Sequence, residues 1–535
     1  MELFKCFKEK FLRKVLKNFF SKKNFQRNFF FLFGVLFVFV VSCTGTSSLS
    51  PVADRLVVGV EKEPRTLNPL FATDAYSTRM VEIIYSSLVK QDESGLFKGD
   101  LALSWEQPDN KKYIFHLRDN AFFHDGTPLT CDDIKNTFAI IMDSQSKSPY
   151  HGDFELVDFV ACSDKRTLIV NLKEPFAPFL TSMTVGVIPK HIKNSDELGQ
   201  HPIGSGPFRF VAQRAGDFVL LERFDKYYGE VPKVKEVVFR VIPNSITRVL
   251  ELEKGTVDLL INSVPPESLD RLRKNEKIKI IRTRGINYNY IGFNLKDAIL
   301  SKHEVRRAIA YAVDREALIK YVWRGAAQLA TGLLSSRNWA YNPNVKVYDY
   351  NPSLAKKILD EAGYPDPDAD GPLMRFHLSF KTTTDRLRRR IAEVIRTQLE
   401  SVGIGVEVRS YEFGTFYNDI KNGNFQLYTL TWVGITEPDI YHFVFHSSSA
   451  PPKGANRNSY SNSEVDKLTD EGRREINPLK RKVIYAQVQE IIAEDLPYVS
   501  LYYTDDIAVI RERVQGFKLT LGGGLLGLLS VSLLY

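Results

Sequence analysis

Two histidines, His442 and His446, are the only pair in the chain set four residues apart, the spacing that lets one helix face hold a metal ion. No carboxylate stands where a metalloprotease carries its general base, so the pair reads as a packing or surface feature. His124 and Asp125 form a second couple with acid–base or metal potential. Adjacent residues point in different directions, however, and no third partner accompanies them. The block His124-Asp125-Gly126-Thr127-Pro128 reads instead as a turn, with Asp and Gly supplying local hydrogen bonding and positive φ and Pro128 fixing the exit. Thr130 then caps a helix whose first turn carries Asp132 and Asp133, where their charge meets the helix dipole favourably. Gly204-Ser205-Gly206 sets a serine between glycines, but Pro207 stops the helix that a nucleophile elbow needs. The sequence contains no GxSxG, no HExxH, no P-loop and no GxGxxG following a strand. No catalytic residue, metal or cofactor is assigned.

These residues belong to a chain built for export. Phe29 to Val41 is a run of thirteen residues, apolar except for Gly34, preceded by nine Lys or Arg and followed by Ser42-Cys43. A basic start, an apolar core too short for the ~20 residues that span a bilayer, and small residues at the cut describe a signal peptide. Val40 to Cys43 resembles a bacterial lipobox, which makes Cys43 the lipid-bearing first residue of the mature chain. An uncleaved anchor would leave the same body on the same outer face of the membrane. The formal charge of +8 and pI near 9.0 reflect this segment. Its 42 residues hold nine of the 72 basic side chains and two of the 64 acidic ones, which leaves 63 against 62. The mature body has no global basic field to attract nucleic acid. At roughly 490 residues it is long enough for two or three cores. Cys131 and Cys162 either pair in this disulfide-permitting compartment or stand as small buried residues. With no CxxC spacing, the free and buried reading is preferred.

Period-2 runs predict strands at Leu56–Val60, Lys112–Leu117, Thr167–Asn171, Phe218–Arg223, Glu236–Val241, Lys277–Arg282 and Tyr288–Asn294. Amphipathic stretches predict helices at Thr78–Leu88, Ser245–Lys254, Glu304–Tyr321, Pro352–Ala362, Leu387–Val402, Ser463–Arg473 and Pro478–Asp495. The class is α/β or α+β. The apolar tail from Gly522 to Tyr535 is too short to span a membrane and is expected to pack back on the body as a strand or loop.

A series of blocks resembles the extracytoplasmic solute-binding proteins of the oligopeptide, dipeptide and nickel ABC transporter family. They are Arg65-Thr-Leu-Asn-Pro69, Tyr85-Ser-Ser-Leu-Val89, Leu101-Ala-Leu-Ser-Trp105, Tyr113-Ile-Phe-His-Leu-Arg118, Phe123-His-Asp-Gly-Thr-Pro-Leu-Thr130 with Asp132-Asp-Ile134, Ile203-Gly-Ser-Gly-Pro-Phe208, Gly255-Thr-Val-Asp258, Tyr290-Ile-Gly-Phe-Asn294, Val305 to Arg315, and Gly363-Tyr364. The resemblance implies an α/β two-lobed periplasmic-binding-protein clamp (type II). Residues 1–42 are the signal peptide and 43–53 a lipid-anchored linker. Residues 54–85, 201–287 and 508–535 form lobe I, 86–200 an inserted subdomain, and 288–507 lobe II. Crossovers near Ile286–Asn289 and Thr504–Ile510 serve as hinges.

What the resemblance implies about function is a non-enzymatic receptor, held as a monomer by a lipid anchor at the periplasmic face or cell surface, that passes a peptide ligand to ABC permease subunits. The ligand lies extended, pairing as an added strand with Thr73 to Tyr76, including Ala75, and with Thr431-Trp432-Val433-Gly434. Trp432 forms a wall for ligand side chains, and Tyr290 lies nearby. Peptide binders of the family place an Asp three residues after this tryptophan to pair with the ligand ammonium. Here the position is Ile435, so Glu437 or Asp439 is the candidate counter-charge unless they form a solvated turn. Arg337 is the candidate for a ligand carboxylate, and the run Arg386 to Arg390 reads as a solvated helix face. The departure at Ile435 keeps a non-peptide ligand open: a nickel complex, haem or a sugar. A secreted hydrolase is the rival of a different class, and it lacks a triad or metal site. The Cys43→Ala variant is expected to lose incorporation of labelled fatty acid and to be released or left uncut; labelling equal to wild type would remove the anchor.

Overall fold

Alternation along the chain sets the strands. In Lys112–Leu117 it buries Tyr113, Phe115 and Leu117 on one face, and in Thr167–Leu172 it buries Leu168, Val170 and Leu172 in the same way. The computed structural model describes residues 54–92, 95–369 and 371–534; the export segment and Cys43 lie outside them. One large mixed sheet runs in the order Ile404–Tyr411, Phe376–Thr383, Leu427–Trp432, Ile278–Phe293, Tyr498–Arg511, Leu259–Ile261, Arg55–Val60, Glu236–Val241, Phe218–Arg223 and Phe208–Arg214. A short strand, Ala327–Leu329, pairs with Tyr498–Arg511 off this path.

The two longest strands, Ile278–Phe293 and Tyr498–Arg511, form the centre of this sheet as an antiparallel pair. Sequence periodicity predicts two separate strands over the first of these. The structure has one strand with a register shift between Thr283 and Asn287. Gly285 sits at the shift, where an added Cβ would lie 2.1 Å from the carbonyl oxygen of Thr504, so only glycine permits the close backbone approach. Arg282 pairs with Asp505 beside it, and Gln328 donates to the other oxygen of Asp505 at 2.7 Å.

Apolar cores collect on either side of this shift. One unites Leu56, Val58, Ile83, Val237, Phe239 and Ile510 with the interior of a four-stranded sheet formed by Ala102–Glu106, Lys112–Leu117, Thr167–Leu172 and Val157–Asp164. Two others are built from residues between 288 and 503. The tail returns to the first core as expected: Val514–Gln515 pairs with Ser532–Leu533, and Leu525, Leu528 and Val531 are buried. Among the described residues no helix is long and apolar enough to cross a membrane.

Several helices open where their caps dictate. Asn477 accepts from the amides of Leu479 and Lys480 ahead of Pro478–Asp495. The helix expected from Thr78 begins instead at Ala75 and ends at Ile84, because Asp74 accepts from the amides of Tyr76 and Ser77 at 3.1 Å each. The single helix expected over Glu304–Tyr321 is broken after Ala312, since Val313 is extended and Asp314 caps a new turn through the Ala317 amide at 2.8 Å. Thr130 caps Cys131–Met142, with Asp133 accepting from the Thr130 amide at 2.8 Å.

The reading of His124 and Asp125 as scaffold holds. His124 Nδ1 accepts from the Gly204 amide at 3.2 Å and Nε2 faces the Gly206 carbonyl at 3.1 Å, while burial pulls the ring down to about 4 and keeps it neutral. Asp125 accepts from the Thr127 amide and pairs with His191.

The expectation of free cysteines is overturned. Cys131 and Cys162 form a disulfide with Cα atoms 6.0 Å apart, fastening the start of helix Cys131–Met142 to strand Val157–Asp164. The residues lie far apart in the chain, and only the packing of this helix on this strand brings them together. Closing a loop of 31 residues is worth about 3.7 kcal/mol on the chain-entropy account. The Cys131→Ser/Cys162→Ser variant is expected to lose about 2–4 kcal/mol in denaturant unfolding. Equal stability of variant and oxidised wild type would show that the bridge constrains nothing.

Candidate ligand site

Strand Leu427–Trp432 pairs antiparallel with Ile278–Phe293 in a register that sets Trp432 opposite Tyr288 and Thr431 opposite Asn289. Pairing stops at Trp432. The chain then turns through Gly434, at φ +69°, whose amide donates to Asn287 Oδ1 at 3.1 Å. Val433 is thereby left 54 % exposed at the rim, and Gly434 is exposed beside it. Thr431 is already engaged: its hydroxyl donates to Asn289 Oδ1 and accepts from both terminal nitrogens of Arg388 at 3.2 Å. Arg388 therefore does not belong to a purely solvated face, as its arginine run implied.

Trp432 faces a cation. The guanidinium of Arg457 lies 4.9 Å from its ring centre and 5.1 Å from that of Tyr417, and Phe443 meets the indole edge-on at 6.3 Å. Arg457 is 8 % exposed; one terminal nitrogen donates to Tyr417 Oη at 3.0 Å, and the other has no hydrogen-bond partner among the described residues. Burial opposes its charge, but the surrounding oxygens of Tyr290, Tyr428 and Tyr498 outweigh it and hold the cation firmly protonated. A buried guanidinium with an unfilled N–H, set against a tryptophan, is suited to a ligand oxygen. The sequence carried no signal for it, because Trp432, Tyr417 and the tyrosines come from distant segments.

The two candidate acids are differently placed than expected. Glu437 and Asp439 are neither solvated nor free: their side chains are 14 % and 15 % exposed. Glu437 pairs with Arg481, and Asp439 with Arg473 at 3.1 Å. Burial pushes both carboxyls up, while Arg481 and Arg473 draw them back toward the charged form. Removing one member of the Arg481–Glu437 pair would strand the other's charge, at a cost of about 3–5 kcal/mol. Both acids are thus committed within the protein. Ile435 is buried against Tyr441 and its neighbours.

Four further candidates, Tyr290, Ala75, Tyr76 and Arg337, have the following places in the fold. Tyr290 is fully buried, stacked 4.0 Å from Tyr498 and 5.5 Å from Tyr288, because its strand is covered on both sides; it backs the site and does not line it. Ala75 and Tyr76 start a helix, so they offer no extended edge, and only Thr73 ahead of them is exposed. Tyr76 donates instead to Glu61 at 3.4 Å, and burial together with that carboxylate pushes the phenol up to about 12. Its cavity, shared with Arg79 and Asn262, measures about 40 Å³, room for a few waters at most. Arg337 donates to the Arg284 carbonyl at 3.0 Å, close to the register shift.

Segments distant in the chain approach this region. The Ala177 amide donates to the Arg473 carbonyl at 2.7 Å, and the Arg473 guanidinium lies 5.1 Å over the Phe176 ring. Gly522 in the tail approaches Gly434.

A family model described as "Bacterial extracellular solute-binding proteins, family 5 Middle" matches residues 97–453. The chain is 30 % identical over 515 residues to the oligopeptide-binding protein AppA of Bacillus subtilis, covering 90 % of this chain and 94 % of that one. The solved structure of Bacillus subtilis AppA in complex with a nonapeptide superposes with a TM-score of 0.79 at 29 % identity, covering 90 % of this chain and 99 % of that one. NikZ from Campylobacter jejuni in complex with Ni(L-His) gives a TM-score of 0.80 at 26 % identity, over 90 % of this chain and all of that one. With the fold shared over nearly the whole described body and the family model spanning most of it, the chain belongs to the bacterial extracellular solute-binding proteins of family 5.

Proposed function

We propose that this protein is a lipid-anchored receptor, not an enzyme, that captures peptides outside the cytoplasmic membrane and delivers them to an ABC permease. The observation that carries the reading is the rim formed by Trp432, exposed Val433 and Gly434, backed by the unfilled N–H of Arg457. An aromatic face takes ligand side chains of many shapes, and a strand ending at an exposed backbone segment takes a peptide main chain. Thr73 is the first-lobe contact and Cys43 the anchor. The peptide and ABC-import assignment is supported by the oligopeptide-binding relative and its nonapeptide complex.

One specific observation favours a second reading. With Ile435 buried and both Glu437 and Asp439 paired to arginines, neither of the two candidate acids is free to receive an α-ammonium, which also suits a non-peptide ligand such as a nickel complex, haem or a sugar.

Calorimetry on tri- to pentapeptides with free and acetylated N-termini separates these cases. Acetylation is expected to change affinity by less than about fivefold, and Trp432→Ala to weaken it at least about tenfold, or ~1.4 kcal/mol. A loss of hundreds-fold on acetylation would show that an acid leaves its arginine to hold the ammonium; no binding of any peptide would favour the second reading.

Closure belongs to the same proposal: lobe I (54–85, 201–287, 508–535, with 86–200 inserted) and lobe II (288–507) close about the register shift near Gly285. Small-angle scattering is expected to give a smaller radius of gyration with saturating ligand. Identical curves with a verified bound ligand would contradict the clamp.

A further inference from the structure

His442 lies in helix Ile440–Phe445 and His446 directly follows it, so one turn of chain stacks the two rings with centroids 4.3 Å apart and planes 24° apart. Both Nε2 atoms face Asp470, which projects from the separate helix Ser463–Arg474. Asp470 Oδ1 is 3.5 Å from His442 Nε2 and 3.6 Å from His446 Nε2. The three ligand atoms all lie within 4.8 Å of one another. Tetrahedral zinc with bonds of 2.0–2.1 Å sets its ligand atoms about 3.3–3.4 Å apart, close to both distances to Asp470.

We propose that His442, His446 and Asp470 bind one divalent first-row transition ion, with water completing the coordination. Two imidazoles and one carboxylate are a ligand set suited to Zn²⁺ and Ni²⁺ and poor for Mg²⁺ or Ca²⁺. The histidine side chains are 13 % and 12 % exposed, whereas Asp470 is 44 % exposed and leaves a path for the ion and its water.

The surroundings orient the rings. The turn Ser447–Ser449 returns on the histidines: Ser448 Oγ lies 2.7 Å from His446 Nδ1, and Ser449 Oγ 3.5 Å from His442 Nδ1. Asp466 holds this turn through the Ser447 amide at 2.8 Å. In the metal-free arrangement the Ser448 amide donates to His446 Nδ1 at 3.1 Å, so the ring proton sits on Nε2. When Nε2 takes the metal, its proton is lost to solvent and Nδ1 acquires one, so the Ser448 amide bond to Nδ1 is given up and Ser448 Oγ accepts from Nδ1 instead. Arg473 donates to His442 Nε2 at 3.3 Å, which shows that this lone pair already faces the cluster. The ion takes Arg473's place there, and Arg473 keeps its pairing with Asp439.

The site uses none of the rim residues and ties helix Ile440–Phe445 to the helix whose Arg473 carbonyl meets Ala177. It would thus steady one of the contacts between residues 174–177 and the 437–474 segment.

Isothermal titration of untagged, chelator-stripped protein with ZnCl₂ tests the proposal. One equivalent is expected to bind with micromolar affinity or better, and His442→Ala, His446→Ala and Asp470→Asn are each expected to weaken it at least tenfold. Zinc is also expected to raise the melting temperature of the wild type but not of Asp470→Asn. If the histidine variants misfold, Asp470→Asn, a change at a half-exposed side chain, decides by itself. Absence of saturable one-equivalent binding, or Asp470→Asn binding zinc like wild type, would overturn the site.

Discussion

The pairing of Ile278–Phe293 with Tyr498–Arg511 is the constraint on which the rest of the structure depends. These strands are continuous through the centre of the sheet, and the backbone at Gly285 comes so close to Thr504 that no side chain fits. On one side of that point lie the core around Leu56, Val237 and Ile510; on the other lie the cores around Phe293, Ile395, Tyr428 and Tyr485. The register of Ile278–Phe293 also sets that of Leu427–Trp432, and so decides which residue is last in the sheet and first at the rim. A one-residue slip would turn Trp432 to the other face and carry the rim with it.

Around that rim the protein places arginines. Arg388 holds Thr431, Arg457 backs Trp432, and Arg473 and Arg481 occupy Asp439 and Glu437. Arg388, Arg473 and Arg481 each meet a partner oxygen within the fold, and burial makes such pairs costly to break. Arg457 meets only a tyrosine hydroxyl and aromatic rings, and one of its terminal nitrogens is buried without a hydrogen-bond partner among the described residues. Glu437 and Asp439 are thus balanced by arginines of the fold, which departs from the expectation raised by the two acids read in isolation.

Much of the scaffold was legible in the sequence for local reasons. Period-2 alternation gave Lys112–Leu117, Phe218–Arg223 and Glu236–Val241 with their observed ends, and the helical pattern gave Ser245–Lys254 and Pro478–Asp495 likewise. Family resemblance singled out the segment around Trp432 as a candidate. What was not legible was set by contacts between distant segments. The Cys131–Cys162 bridge joins a helix start to a strand, Tyr290 is buried because two other strands flank its own, and Asp470 reaches His442 and His446 from another helix. The break after Ala312 is an intermediate case, since the capping aspartate is visible in the chain but competes with an unbroken apolar period.

The central claim is that the rim of Trp432, Val433 and Gly434, with Arg457 behind it, receives a peptide. The most direct measurement is mass spectrometry of the ligand released from protein purified without unfolding. A set of short peptides of mixed sequence is expected, present in wild type and depleted in Trp432→Ala. Recovery of one defined non-peptide compound at a full equivalent would contradict it.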